Sequence, residues 1–426
     1  MLRKQLLILL ILIAFGLLGC TATVVESDIP LPEITITPTT APISGDPITP
    51  GSGSMTLLIW LPPEFDPANE SLASQLLLAH LEEFAARRPQ VRIETRIKAV
   101  LGPGGIADTL QTASAAAPLA LPDLVALPND VLQDAAIKGL IHPFDGLTTI
   151  MDDPDWYEYA RQLSNIQNNV FGIPFAGDAL IAVYRPSAIE TAPVDWASML
   201  EIAHPTSFPA ADIDALITLT LYQAAGGAIV DDQGRPTLEL LPLTDVLTFY
   251  NQGSKNGVIP FWLTSYETDD QAWEAFEDQS AQMVITWASR YLRSLPPDSM
   301  AARLPTPEGS AFTNATGWAW ALASPDPERQ AISAELAEFL SSGDYASEWA
   351  AAAGYLPLRP SGLKIWENTS INGLLDQVCS SAVLMPSTDI ILSLGPVLQQ
   401  SALEAIKEQS DPAAAAQDAV NSLTGP

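Results

Sequence analysis

Basic residues are scarce. The 426 residues hold 19 Lys and Arg against 50 Asp and Glu, a formal charge of −31. That balance repels nucleic acid and anionic head groups, so neither a nucleic-acid partner nor a polybasic membrane grip is expected. Only 16% of residues are charged, against a usual share of about 25%, so the imbalance comes from missing cations. Histidine is also thin: His80, His142 and His204 lie far apart, without HExxH or other metal-ligand spacing. No metal and no cofactor is therefore expected. Neither a P-loop nor a G-x-S-x-G elbow is present, and Gly102-Pro103-Gly104-Gly105 lacks the Lys-Ser/Thr of a phosphate cradle. A glycosidase needs only two carboxylates, so acid content alone does not exclude one, but nothing positive points to it.

Cysteine is limited to Cys20 and Cys379, and long apolar runs to one, Leu6 to Leu18. Thirteen residues are too few for a spanning helix, which needs roughly 20. With Arg3 and Lys4 ahead of it, the run has the layout of a secretory signal. Its end, Leu17-Leu18-Gly19-Cys20, resembles a bacterial lipobox. The resemblance implies cleavage before Cys20 and a lipid on its thiol, anchoring the chain to a membrane outside the cytoplasm. Cys379 then stands alone, no intramolecular disulfide is possible, and with no histidine near it in sequence it reads as a buried thiol.

Residues 21–54 hold six prolines, seven threonines and no Lys or Arg, ending in Gly51-Ser52-Gly53-Ser54. Such a segment cannot bury a core and favours extended conformations, a tether of up to roughly 100 Å. From residue 56 the pattern turns regular. Residues 56–61 read as a buried strand, 71–88 as a helix stopped by Pro89, and 91–98 as a half-buried strand. A strand at 123–127 and a helix to Ile137 follow, giving the alternation of an α/β domain with a largely parallel sheet. Residues 171–184 read as strands around a turn at Gly177. Helices are expected at about 195–203, 212–225, 243–251 and 269–277, strands at 282–286 and 317–323, and a helix at 326–340. From about Ser341 the chain reads as mostly helical.

Several segments, in order, resemble bacterial extracellular solute-binding proteins of the carbohydrate-uptake, maltose-binding-protein-like type. They are Leu57-Leu58-Ile59-Trp60, Phe84 with Pro89 and Val91, Pro122-Asp123-Leu124-Val125, and Gly139-Leu140-Ile141-His142-Pro143-Phe144-Asp145. Gly172-Ile173-Pro174-Phe175 with Val183-Tyr184, Gly226-Gly227 ahead of Asp231, Gln282-Met283, Leu304 to Gly309, and Gly354 to Arg359 continue the series. The likeness covers nearly all of residues 55–425. It implies a two-lobed periplasmic-binding-protein-like (type II) α/β fold with a hinge and an interlobe cleft. The lobes are placed at 55–178 with 303–341 and at 179–302 with 342–426, after a signal at 1–19 and a tether at 20–54. Crossings between them are expected near 177–181, 301–303 and 341–344.

A sugar presents C–H faces to aromatic rings and hydroxyls to carboxylates and amides. Asp178, in Ala176-Gly177-Asp178-Ala179, matches a position where the family places a ligand carboxylate, and equally reads as a turn residue bonding its own backbone. Asp130 matches another, and equally reads with Asn129 as a helix cap. Trp60 ends the first strand, where α/β clefts open. Trp287, Trp318 and Tyr355 are the other aromatic candidates, each of which also suits a core. Arg359 fits a surface ion pair better than a ligand contact, and Glu64 is a lesser candidate. Leu127 and Val131 stand where maltose binders carry a stacking Trp and an Arg, and Arg185 where Asn is usual, which speaks against maltodextrin.

The expected function is a lipid-anchored, monomeric, non-enzymatic protein that captures a carbohydrate for an ATP-driven (ABC) importer and docks on its membrane permease. A ligand-sensing lipoprotein signalling to a membrane receptor is the alternative, and an extracellular carbohydrate-active enzyme a third.

Overall fold

The structure, a computed structural model, describes residues 55–366 and 369–424. The signal-like segment, Cys20 and the tether lie outside the described residues. Period-two alternation builds the opening strand. Along β1 (Met55–Leu61), Leu57, Ile59 and Leu61 enter one core and Trp60 another, so both faces are covered. Helix α1 (Leu72–Arg87) starts where the Ser71 hydroxyl accepts the Ser74 N–H at 3.1 Å, and buries Leu77, Leu81 and Phe84. Then come β2 (Val91–Ile97), α2 (Ile106–Ala116), β3 (Leu124–Pro128), α3 (Asn129–Ile137), α4 (Glu158–Ser164) and the hairpin β4 (Asn165–Ile166) and β5 (Asn169–Val170).

The next strand differs from expectation. Instead of two strands around a turn, β6 (Ile173–Tyr184) runs unbroken through Gly177, and all twelve residues are buried. Gly177 serves close packing rather than a bend: a Cβ there would lie 2.2 Å from the Tyr159 hydroxyl. After it come α5 (Trp196–Glu201), β7 (Thr206–Ser207), α6 (Leu216–Ala224), α7 (Leu240–Asn256), α8 (Asp269–Glu277), β8 (Met283–Trp287), α9 (Ala288–Ser294) and β9 (Met300–Ala302). The chain ends with β10 (Thr313–Leu322), α10 (Pro327–Leu340), α11 (Gly343–Ala353), α12 (Thr369–Ser381), β11 (Ala382–Leu384), α13 (Thr388–Ile406) and α14 (Pro412–Thr424).

The strands lie in the order β2-β1-β3-β10-β6-β8-β7, with β11 on β10 and β9 on β6. Strand β1 is parallel to β2 and β3, whereas β10 is antiparallel to β3 and β6. The fold is mixed α/β and two-lobed, and β6 belongs to both lobes. Its residues up to Ala179 pair with β10, and from Leu180 onward it pairs with β8 and β9. The second lobe packs α6, α7, α13 and α14 around Leu219, Tyr222, Leu247, Tyr250, Leu398 and Ala416.

The first lobe is tied by Asp123, 1% exposed, which accepts the Leu58 N–H at 2.7 Å and the Arg329 Nε at 2.6 Å, joining β1, β3 and α10. Trp349 of α11 lies 5.4 Å from Phe65 and 5.5 Å from Phe175, among first-lobe side chains. Cys379 is buried and free, and burial pushes its thiol above the ordinary range. Among the described residues no helix is long and apolar enough to cross a membrane.

Candidate ligand-binding cleft

Parallel strands end where loops open toward a cleft. Strand β3 delivers Asn129 and Asp130 there at the start of α3, and β8 delivers Trp287 from the other lobe. Both border a cavity of about 240 Å³, somewhat below the roughly 300–1,000 Å³ of most ligand sites. Thr316 of β10 contributes to its lining, as do Met385 and Pro386 of the connection into α13. Asp214 and Leu216 close the second-lobe side, and Ile391 and Leu392 of α13 form an apolar wall.

Local geometry aims the polar groups. The Asp212 carboxylate accepts the N–H groups of Asp214 and Leu216 at 3.1 and 3.3 Å, and Ala215 takes a left-handed φ of 47°. That turn delays α6 to Leu216, four residues after the expected start, and leaves Asp214 at the cleft. Helix α13 holds the turn in place through Gly395, where a Cβ would lie 2.6 Å from the Ile213 carbonyl. On the opposite wall Asn129 is 3% exposed, and its Oδ1 accepts Gln133 Nε2 at 2.9 Å. Asp130 is no helix cap; Pro128 occupies that position and Asp130 sits exposed in the first turn, where the helix dipole favours a negative charge.

The candidates from the sequence fall into four places. Asp130 and Trp287 meet at the cavity. Asp178 lies beneath it: the register pairs Asp178 with Thr316 and Leu180 with Trp287, so period two sets them on one face of the crossing strands. Asp178 is not at a turn. It is 7% exposed, and its carboxylate accepts the N–H groups of Ala179 at 2.9 Å and of Ser289, in the first turn of α9, at 3.0 Å. Burial pushes its pKa up to about 6 despite these bonds.

Trp318 and Tyr355 gather around Phe65, at ring distances of 4.9 and 5.9 Å. The Arg293 guanidinium lies 4.4 Å over the Tyr355 ring, and burial pushes that phenol up to about 12. Trp60 stands apart from the cavity. It is 1% exposed, packs with Ile106, Leu110 and Val125, and carries Lys98 4.8 Å over its ring. Leu127 and Val131 are buried in the same cluster. Arg185 is buried too, its guanidinium donating to the Phe276 carbonyl at 2.6 Å. Arg359 pairs with Asp153 at 2.6 Å. Glu64 is exposed. Sequence reasoning missed Asp214, Asn129 and the α13 wall; the Asp212-x-Asp214 spacing was the one available sign of a turn there. Among the described residues no group of His, Cys, Asp and Glu could hold a metal ion.

A family profile described as bacterial extracellular solute-binding protein matches residues 79–369. The chain belongs to this family. Membership places it outside the cytoplasm, among proteins that bind solutes rather than transform them. Solved structures share the fold. Maltose-bound MalE3 of T. maritima is 18% identical with a TM-score of 0.66, over 87% of this chain and 99% of that one. The sugar-binding protein MalE of Xanthomonas citri is 17% identical with a TM-score of 0.71, over 87% and 97%. The cyclic alpha-maltosyl-1,6-maltose binding protein of Arthrobacter globiformis is 16% identical with a TM-score of 0.69, over 87% and 99%. Among curated proteins none matches.

Proposed function

We propose that this solute-binding protein captures a carbohydrate between its lobes and delivers it to an ATP-driven importer through a membrane permease. The observation that carries this reading is the cavity flanked by Asp130 from one lobe and Asp214 from the other, beside the Trp287 indole. Those groups suit a sugar, whose ring faces stack on an aromatic plane while its hydroxyls donate to carboxylates. A ligand touching both walls binds the closed state more tightly and shifts the population toward it. The solved relatives named above are described as binding maltose and related sugars, which supports the class. Leu127 and Val131, buried in the first lobe, supply neither the stacking ring nor the cation that maltose binders carry there, which argues against a maltodextrin.

Asp178, Trp318 and Tyr355 support the cleft floor in this reading, and Trp60 the core of the first lobe. We place the lobes at 55–178 with 303–384 and at 179–302 with 385–424. This moves 342–384 from the second lobe, where the sequence put it, because Trp349 packs on Phe65 and Phe175 and β11 pairs with β10. Cys20 carries the lipid anchor, and Cys20→Ser is expected to move the protein from the membrane fraction to the soluble one.

Thermal unfolding across a panel of mono- and oligosaccharides tests the ligand class. A sugar at about 100 times its dissociation constant adds roughly 2.7 kcal/mol of stability, a clear rise in Tm. No shift with any member overturns the carbohydrate assignment.

A further inference from the structure

The cavity has a marked charge imbalance. Two carboxylates, Asp130 and Asp214, line it from facing lobes, and no Lys, Arg or His does. Neither carboxylate accepts a hydrogen bond or pairs with a cation among the described residues, whereas the buried Asp123 and Asp178 are both satisfied. Helix α9 begins directly after Trp287, yet its arginines are engaged elsewhere. Arg290 pairs with Asp269 and Asp270, and Arg293 donates to the Ala353 carbonyl at 3.0 Å. A second observation points independently to a ligand. Asn129 lines the cavity at 3% exposure, and its Nδ2 donor has no acceptor among the described residues. That donor is left open at the cavity, available to an acceptor on whatever enters.

Closing the lobes brings two negative charges toward each other in a space partly shielded from water, where their repulsion is stronger than in bulk. A neutral ligand leaves that repulsion in place, and an anionic one adds to it. We infer that the cleft selects a ligand bearing both a protonated amine, held between Asp130 and Asp214, and a hydroxyl that accepts from Asn129: an amino sugar rather than a neutral or acidic one. The Trp287 indole suits both parts, since its face attracts a cation and stacks a sugar ring. The inference rests on the carbohydrate reading for its hydroxyl and on the two carboxylates for its charge.

The test is calorimetric titration of the full-length protein in a neutral detergent at pH 6. The matched probes are glucose, glucosamine and glucuronate, the disaccharides cellobiose and its bis-amino analogue, and spermidine as an amine without sugar hydroxyls. The amino members are expected to bind at least tenfold tighter than their neutral counterparts, and glucuronate weakest. Raising the salt from 20 to 300 mM shrinks the amine advantage. Asp214→Asn is expected to weaken the amino sugars at least tenfold and the neutral sugars far less, and equal weakening of both overturns the inference. Neutral sugars binding as tightly as amino sugars overturn this inference and leave the carbohydrate reading standing. Spermidine binding without any sugar overturns both, as does the absence of binding by any probe.

Discussion

At the floor of the cleft, Asp178 is 7% exposed and accepts two backbone N–H groups, one from its own strand and one from α9. On the walls above it, Asp130 and Asp214 border the same space with no hydrogen bond to either carboxylate among the described residues. The residue type is the same and the circumstances are opposite. A buried carboxylate must be satisfied by the fold, which fixes it in place and takes it out of direct ligand contact. A wall carboxylate is held by the turn or helix that carries it, and its oxygens stay available. Position in the cleft is therefore a poor guide to ligand contact unless hydrogen-bond partners are counted as well.

The sharpest way to break this contrast is Asp178→Ala, which strands the Ser289 and Ala179 N–H groups. The expected loss is about 3 kcal/mol in urea denaturation, and a loss under about 0.5 kcal/mol would erase the distinction between floor and walls. Asp178→Asn retains an acceptor oxygen and isolates the charge. Because burial raises Asp178 from 3.8 to about 6, the folded chain holds this proton more tightly than the unfolded chain between those values. Its contribution to stability is full below about pH 4, falls as pH rises toward 6, and is level above. The stability gap between wild type and Asp178→Asn should narrow over that window; a gap that widens with pH reverses the assignment.

Trp287→Ala removes a half-buried indole from the wall, at an expected cost of about 1.5 kcal/mol in folding. Its larger effect is a tenfold or greater loss of ligand affinity by titration, and unchanged affinity would remove Trp287 from the site. Smallest on stability is Asp214→Asn, expected within about 0.5 kcal/mol of wild type by urea denaturation. A larger loss would mean that Asp214, like Asp178, is structural.

Legibility in the sequence followed the range of the forces involved. The opening strands and α1 are set by local periodicity and a Ser cap, and they lie where the pattern puts them. Strand β6 was read as broken because Gly177-Asp178 is a turn signal. The true reason for glycine there is Tyr159, eighteen residues upstream, which no local window shows. Helix α7 begins three residues ahead of expectation because Pro242 lies in its first turn, where no intrahelical N–H bond is required. Trp60 ends a strand as a cleft residue should, but Ile106 and Leu110 of α2 cover it. Asp214 stayed hidden because its placement depends on Gly395, almost the whole second lobe away in sequence.

Strand β6 has a further consequence, for how the molecule comes apart. It completes the sheet on both sides, through β10 for one lobe and through β8 and β9 for the other. Neither lobe owns it: its loss strips the β10 edge of the first lobe's sheet and parts β9 from β8 in the second. Melting should therefore proceed as one cooperative event, and a chain cut near Asp178 would leave each fragment with an open sheet edge rather than a domain. The one strand that joins the two lobes also ties their unfolding together.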